Sequence, residues 1–216
     1  MEDDTFNDLL RILGDLNDAF EQDTGNDANA SLFLERKLEY AAQTFGSDFL
    51  GQVRKTKWIK YRTNVNKGRW TLLHFVIQTA VDHPDEAKEK IRILLKFNNW
   101  ANVEPIQALG TVLHYACDLG LYDIVELLLE NIHPNHKLSR LNRQYQIGSE
   151  GKKFDGTIDY HTPLTIAIKY GIEQPESGGL NLIDLLLDHG ADVNTVCQKK
   201  FTPLLWCVDT ICSSEN

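Results

Sequence analysis

The residues best suited to chemistry in this 216-residue chain are its seven histidines and four cysteines. Catalysis would require a nucleophile, a base and an orienting group that converge, or metal ligands at a suitable spacing. His133 and His136 have the i,i+3 spacing of two ligands on a helix, but Pro134 and the lack of a nearby cysteine or acid favour a surface loop. We therefore expect no catalytic residue, no metal site and no cofactor.

The cysteines and glycines also lack the spacing of a reactive motif. No CxxC pair occurs, which argues against a zinc site or a disulfide framework; the cysteines are Cys117, Cys197, Cys207 and Cys212. No glycine-rich sequence has the spacing of a phosphate-binding loop. The chain lacks a basic signal sequence and any run of roughly 20 apolar residues, so we expect a soluble intracellular protein in the cytoplasm or nucleus, without a transmembrane segment.

One basic segment has residues that suit an anionic ligand. Seven Lys and Arg residues lie within residues 54–69, interleaved with aromatic rings that could stack on bases. Nucleic acid or an acidic lipid head group would then contact Arg54, Lys55, Lys57, Lys60 and Arg62. The net charge of −9, with nine acids in residues 1–27, disfavours nucleic acid. We favour a structural interpretation, in which these side chains form the solvated side of a connector.

The elements that must position these residues repeat along the chain. Four segments share a Thr-x-Leu core followed by a small or β-branched residue, and they begin at Thr71, Thr111, Thr162 and Thr202. A threonine before an apolar periodic run can cap free backbone N–H groups, and proline in a first turn loses no hydrogen bond. Each segment therefore predicts the start of a helix.

Leucine-rich runs at 124–129 and 182–187 predict a second helix in two of these units, with Gly120 and Gly171 at the turn between the helices. The openings and paired helices resemble the ankyrin repeat, whose signature includes T-P-L-H-x-A and whose unit is a β-turn with two antiparallel helices in about 33 residues. The sequence at 189–194 resembles the turn that closes such a repeat.

The resemblance covers about residues 67–212 and implies an all-α ankyrin-repeat solenoid with a helical N-terminal cap, three full repeats with insertions and one truncated repeat. It also implies that His74 and His114, at the fourth position of their openings, form structural hydrogen bonds between neighbouring repeats.

The repeat spacing departs from the family unit. Successive threonines are 40, 51 and 40 residues apart. The third unit gains a loop at 172–179, and about eighteen residues are added within 133–160, where we expect a long projecting finger. The fourth unit has one helix with an apolar face. Either further repeats or domains downstream of Asn216 cover this face, which we favour, or another molecule covers Trp206 and Ile211.

Residues 1–66 are interpreted as an N-terminal capping region with an acidic start and a basic connector, and residues 67–216 as the repeat domain. Apolar residues at helical spacing from Phe6 to Phe20, and again from Leu34 to Phe45, predict two amphipathic helices. Such helices could cover the exposed apolar side of the first repeat. The alternative is a helix that binds a partner or a second copy.

The resemblance further implies a partner-binding surface. Ankyrin repeats bind proteins through turn residues just ahead of the threonine and through exposed positions late in the first helix. The matching positions are Lys67, Trp70, Gln78, Gln107, Asp118, Asp159, His161, Lys169, Tyr170, Lys199 and Phe201. Trp70, His161 and Phe201 matter most, since aromatic residues supply much of the binding energy at protein interfaces.

These observations favour a non-catalytic scaffold that binds a partner protein of unknown identity through the concave ankyrin surface and the repeat turns. A second interpretation is a regulatory or targeting N-terminal module of a larger enzyme, channel or adaptor. A third is attachment to nucleic acid or acidic lipid through residues 54–69.

Overall fold

The computed structural model describes residues 27–45, 54–55, 69–97, 110–146, 160–196 and 200–214. The chain divides into two compact units, Met1–Ile106 and Gln107–Asn216. No helix within the described ranges is long and apolar enough to cross a membrane.

The first unit is built from helices and one short strand pair. Its elements are α1 (Asp27–Phe45), β1 (Arg54–Lys55), β2 (Arg69–Trp70), α2 (Leu72–Thr79) and α3 (Pro84–Phe97). Helices α2 and α3 pack against each other, and α1 packs on α3. Buried leucine and isoleucine side chains from all three helices form the core of this unit.

Helix α1 confirms the second of the two helices predicted ahead of the repeats, although it begins earlier than the apolar pattern, at Asp27. Leu34 and Leu38 are buried, as the helical spacing requires, and Lys96 of α3 pairs with Glu35. The helix predicted from Phe6 to Phe20 lies outside the described residues. The capping role of residues 1–66 stays a prediction.

The second unit contains the second and third repeats and one helix of the fourth. Its elements are α4 (Val112–Asp118), α5 (Tyr122–Glu130), α6 (Pro134–Leu141), β3 (Tyr145–Gln146), β4 (Tyr160–His161), α7 (Pro163–Glu173), a 3-10 turn (Pro175–Ser177), α8 (Gly179–Asp188) and α9 (Pro203–Ser214). Helix α4 packs on α5 and on α7, while α8 packs on α7 and on α5. First helices therefore contact first helices and second helices contact second helices, which is the layered packing of a repeat protein.

The threonines cap the first helices, as predicted. The Oγ1 atoms of Thr71, Thr111 and Thr162 accept hydrogen bonds from the backbone N–H three residues later, at 3.2, 3.5 and 3.3 Å. Thr202 accepts from Leu205 N at 3.4 Å. Each hydroxyl satisfies a donor that the first turn of a helix leaves without an intrahelical partner.

The insertion between the second and third repeats differs from the predicted finger. It begins with helix α6 and continues into β3, which pairs antiparallel with β4 through Tyr145↔His161 and Gln146↔Tyr160. The surface loop expected at His133 and His136 is wrong. His133 caps α6, because Pro134 fits the first turn, where its missing N–H removes no hydrogen bond, and the His133 ring accepts from Asn135 N at 3.3 Å.

The structure also contains two antiparallel pairs of two-residue strands, which the all-helical prediction did not include. The pair β1–β2 ends at Trp70, directly ahead of Thr71, and the pair β3–β4 ends at His161, directly ahead of Thr162. Each pair therefore aligns the chain immediately before a repeat opening. The loop predicted at 172–179 is shorter in the structure, because α7 continues through Gly171 to Glu173 and α8 begins at Gly179. The 3-10 turn Pro175–Ser177 lies between these helices, and the turn predicted at Gly171 is wrong.

Helix α9 presents an apolar surface, as its sequence predicts. It packs on α7, and its exposed large apolar side chains are Leu204, Leu205, Val208 and Ile211. The expectation that further repeats cover this surface stays a prediction.

Helices α7 and α8 approach so closely that glycine is required at the contact. A Cβ atom built at Gly179 would lie 2.4 Å from the Cα of Gly171, so one of the two helices would have to move. At the neighbouring Gly178 the nearest atom to a built Cβ lies 3.8 Å away, and the constraint is instead the backbone, with φ of 75°. The two glycines therefore serve different purposes.

We expect Gly179→Ala to lower the free energy of unfolding of the second unit by about 3 kcal/mol, because overpacking displaces main chain. Gly178→Ala is the matched control and should cost about 1 kcal/mol, the strain of a left-handed backbone for alanine. Urea unfolding followed by circular dichroism measures both. Equal losses in the two variants would contradict the close contact of α7 with α8.

Candidate protein-binding surface

A buried histidine positions the turn that opens the third repeat. The Thr111 hydroxyl lies 2.7 Å from His114 Nδ1, and His114 Nε2 lies 3.0 Å from the carbonyl oxygen of His161. Since a carbonyl oxygen only accepts, Nε2 carries the proton and donates, and Nδ1 accepts from the hydroxyl. The structural role that the resemblance implied for His114 is therefore confirmed. His74 is buried in the same way beside Thr71, with Oγ1 and Nδ1 2.6 Å apart.

His161 lies in the interior rather than on the surface. Its side chain is 8% exposed, and its ring meets the Trp206 ring edge-on with centroids 4.9 Å apart. In a strand, successive side chains point to opposite sides, so β4 turns Tyr160 outward and His161 inward. The prediction that His161 contacts a partner is therefore wrong, because its ring packs β4 against α9. Tyr160 is the residue of this turn that points outward.

Two neighbouring first helices bring together three of the predicted partner-binding residues. Asp118 is exposed at the end of α4, and Lys169 and Tyr170 are half-buried late in α7. Lys169 Nζ also lies 3.8 Å from Glu173 Oε1. Sequence reasoning missed Glu173, although its i,i+4 spacing from Lys169 is the signal of such a pair. We refer to Asp118, Lys169, Tyr170 and Glu173 as the α4–α7 patch.

The charges of the α4–α7 patch influence one another. Partial desolvation raises the pKa of the Asp118 carboxyl, Lys169 lowers it, and Glu173 raises it. The ring of Tyr170 packs directly against Gly120, in the turn after α4. A Cβ atom built at Gly120 would lie only 2.0 Å from Tyr170 Cζ. This glycine, with φ of 68°, both forms the turn and leaves room for the ring.

The remaining predicted partner-binding residues are divided between described and undescribed parts of the chain. Gln78 is half-buried in α2, and Phe201 is half-buried directly before Thr202. The backbone of Trp70 pairs with that of Arg54, and Lys55 pairs with Arg69. Seven predicted residues lie outside the described ranges: Lys67, Gln107, Asp159 and Lys199 from the partner surface, and Lys57, Lys60 and Arg62 from the anionic-ligand segment.

The described side chains offer little reactive chemistry. Within the described ranges, no group of three or more His, Cys, Asp or Glu residues could hold a metal ion. The rings of His133 and His136 are exposed and their centroids lie 6.0 Å apart. Burial raises the pKa of the Cys117 thiol, which keeps it protonated and therefore a poor nucleophile.

Comparison with protein families decides the classification. A family model of ankyrin repeats in three copies matches residues 38–138, and a single ankyrin-repeat model matches residues 159–198, together more than half of the chain. The chain belongs to the ankyrin-repeat family. Its predicted fold class, an all-α ankyrin-repeat solenoid, is therefore confirmed.

The ankyrin match begins at residue 38, inside α1, and thus within the segment interpreted as a cap. The boundary proposed at residue 66 stays a prediction. A comparison with curated proteins finds no match. Ankyrin-repeat proteins are typically non-catalytic modules for interaction with other proteins, which agrees with the exposed residues of the α4–α7 patch.

The buried imidazole of His114 predicts a loss of stability in acid. Burial lowers its pKa to about 4, although the hydrogen bond to the His161 carbonyl opposes that shift. A histidine in the unfolded chain titrates near pH 6.5, so between about pH 6.5 and pH 4 the unfolded chain binds a proton that the folded chain does not. The contribution of neutral His114 to the free energy of unfolding is therefore fully present above pH 6.5. It falls by about 1.4 kcal/mol for each unit by which the pH is lowered from about 6.5 to 4.

Urea unfolding at several pH values, for the native chain and for His114→Gln, measures this contribution as the difference between the two pH dependences. The native chain should lose stability more steeply, and the His114 ring should remain neutral at pH 5 in an NMR titration. Parallel pH dependences together with a His114 ring that titrates near pH 6.5 would contradict a buried neutral imidazole.

Proposed function

We propose that this ankyrin-repeat protein is a non-catalytic scaffold that binds a partner protein through the concave surface of its first helices and through the repeat turns. Stacked repeats create extended surfaces that suit macromolecular partners. The observation that carries the proposal is the α4–α7 patch, which places charged and aromatic groups from two consecutive repeats side by side.

The α4–α7 patch has the chemistry of a protein interface. Tyr170 combines an apolar ring with a hydroxyl that can hydrogen bond, and tyrosine is enriched where proteins bind one another. Asp118, Lys169 and Glu173 present both signs of charge within one small area. Alternating charges select a partner with the complementary arrangement and align it during the encounter.

The location of the patch supports its availability for binding. Its charged members lie at the ends of α4 and α7, while the core of the second unit is built from the apolar sides of the same helices. Removal of these charges should therefore change binding without removing packing. The identity of the partner, the predicted cytoplasmic or nuclear location and the two alternative functions named from the sequence stay predictions.

We expect Asp118→Ala combined with Lys169→Ala to weaken partner binding about tenfold, because interface residues in such positions contribute about 1–2 kcal/mol. Glu89→Ala combined with Arg92→Ala removes an exposed ion pair on α3 and also leaves the net charge unchanged, so it is the matched control and should bind normally. Affinity purification of the full chain identifies the partner, and titration calorimetry then gives Kd for each variant. Identical affinities for the native chain and the α4–α7 variant would contradict the proposed surface.

The aromatic residues at the turns give a second test. Trp70→Ala combined with Phe201→Ala should abolish partner capture and leave Tm nearly unchanged, because both residues are proposed to contact the partner rather than the core. Thermal unfolding and the same affinity purification provide the two readouts. Loss of folding in this double variant would show that the rings belong to the core, and the assignment of these two residues would fail.

A further inference from the structure

The insertion between the second and third repeats carries a block of positive charge. Residues 131–149 contain Lys137, Arg140 and Arg143 and no Asp or Glu, in a chain whose net charge is −9. On helix α6 the 3.6-residue period places Lys137 and Arg140 on the same side as His133 and His136. We call these four residues the α6 basic face.

The C-terminal end of α6 attaches the insertion to the rest of the second unit. Leu141 is buried, and Asn142 Oδ1 accepts a hydrogen bond from Asp192 N at 2.8 Å. Gln144 Nε2 donates to the carbonyl oxygen of Val196 at 2.7 Å. These contacts join the insertion to the turn that closes the third repeat, so the α6 basic face has a defined orientation before any ligand arrives.

The cations of this segment lack a carboxylate partner within the described ranges. The ion pairs found there involve Lys90, Arg92, Lys96 and Lys169, and none includes Lys137, Arg140 or Arg143. Partial burial lowers the pKa of the Arg140 guanidinium, and the neighbouring Arg143 lowers it further. A carboxylate placed beside Arg140 would therefore relieve repulsion that the free protein contains.

We propose that the α6 basic face docks an acidic peptide segment of a partner protein. The face extends along α6 from His133 to Arg140, which is about 10 Å at the rise of a helix, and about three residues of extended peptide span that length. The Arg140 guanidinium can hold a carboxylate by two parallel hydrogen bonds, and Lys137 supplies a second cation one turn away. This surface is separate from the α4–α7 patch and adds a second point of contact.

An acidic peptide fits this surface better than nucleic acid does. Helix α6 contains no Phe, Tyr or Trp on which bases could stack. The net charge of −9 also repels a long polyanion, whereas a short peptide carries few charges beyond those that contact the face.

Fluorescence anisotropy of a labelled oligo-glutamate peptide, titrated with the full chain at low salt, tests the proposal. We expect Lys137→Glu combined with Arg140→Glu to weaken binding about tenfold, and added salt to weaken binding to the native chain. Lys88→Glu combined with Arg92→Glu makes the same change in net charge on α3 and should leave the affinity within about twofold. Circular dichroism verifies folding, and the neutral variant Lys137→Gln with Arg140→Gln should show a smaller loss in the same direction.

Three results would overturn the proposal. An unchanged affinity in the α6 variant would place the peptide elsewhere. An equal loss of affinity in the α3 variant would indicate a general charge effect. Tighter binding of a single-stranded oligonucleotide than of the peptide would show that the ligand class is wrong. Asp118→Ala with Lys169→Ala should bind oligo-glutamate as the native chain does. The outcome at α6 is thereby distinguished from the outcome at the α4–α7 patch.

Discussion

The second unit depends on the contact between a buried imidazole and the backbone of the next repeat. His114 Nδ1 accepts a hydrogen bond from the Thr111 hydroxyl, and His114 Nε2 donates one to the carbonyl oxygen of His161, which lies 47 residues away in sequence. The same threonine caps α4, so the start of a helix and the position of the following turn are set by one hydrogen-bonded group. Because the ring is inaccessible to water, loss of either partner would leave a buried polar atom unsatisfied. The arrangement of α4 beside α7, and hence the proximity of Asp118 to Lys169, follows from it.

Features controlled by neighbours in sequence could be predicted from the sequence. The threonine caps, the first helices and the buried role of His114 depend on residue types at fixed offsets, and all of these are confirmed. Features controlled by partners distant in sequence could not. His161 reads as an exposed turn residue until β3 is known to pair with β4, since only a strand turns it inward toward Trp206. Helix α6 was missed because Pro134 signals a loop as readily as the first turn of a helix.

The two proposed surfaces use charge differently. The α4–α7 patch contains both signs and is partly neutralised by the pair Lys169–Glu173, so its value lies in discrimination between partners. The α6 basic face has one sign in a protein of the opposite sign, so it attracts an acidic ligand at longer range, more strongly at low ionic strength. A partner that engages both would gain affinity because its second contact becomes intramolecular.

The connection between α6 and the third repeat relies on main-chain atoms of the closing turn. Asn142 accepts from the N–H of Asp192, and Gln144 donates to the carbonyl of Val196, so neither contact depends on the side chain at those two positions. The Asp192 carboxylate is itself occupied by Asn194 N and the Thr195 hydroxyl. The exposed side chains of Val193 and Val196 are thus free to diversify during evolution, and this stretch of surface could acquire new binding preferences while the junction between insertion and repeat is inherited intact.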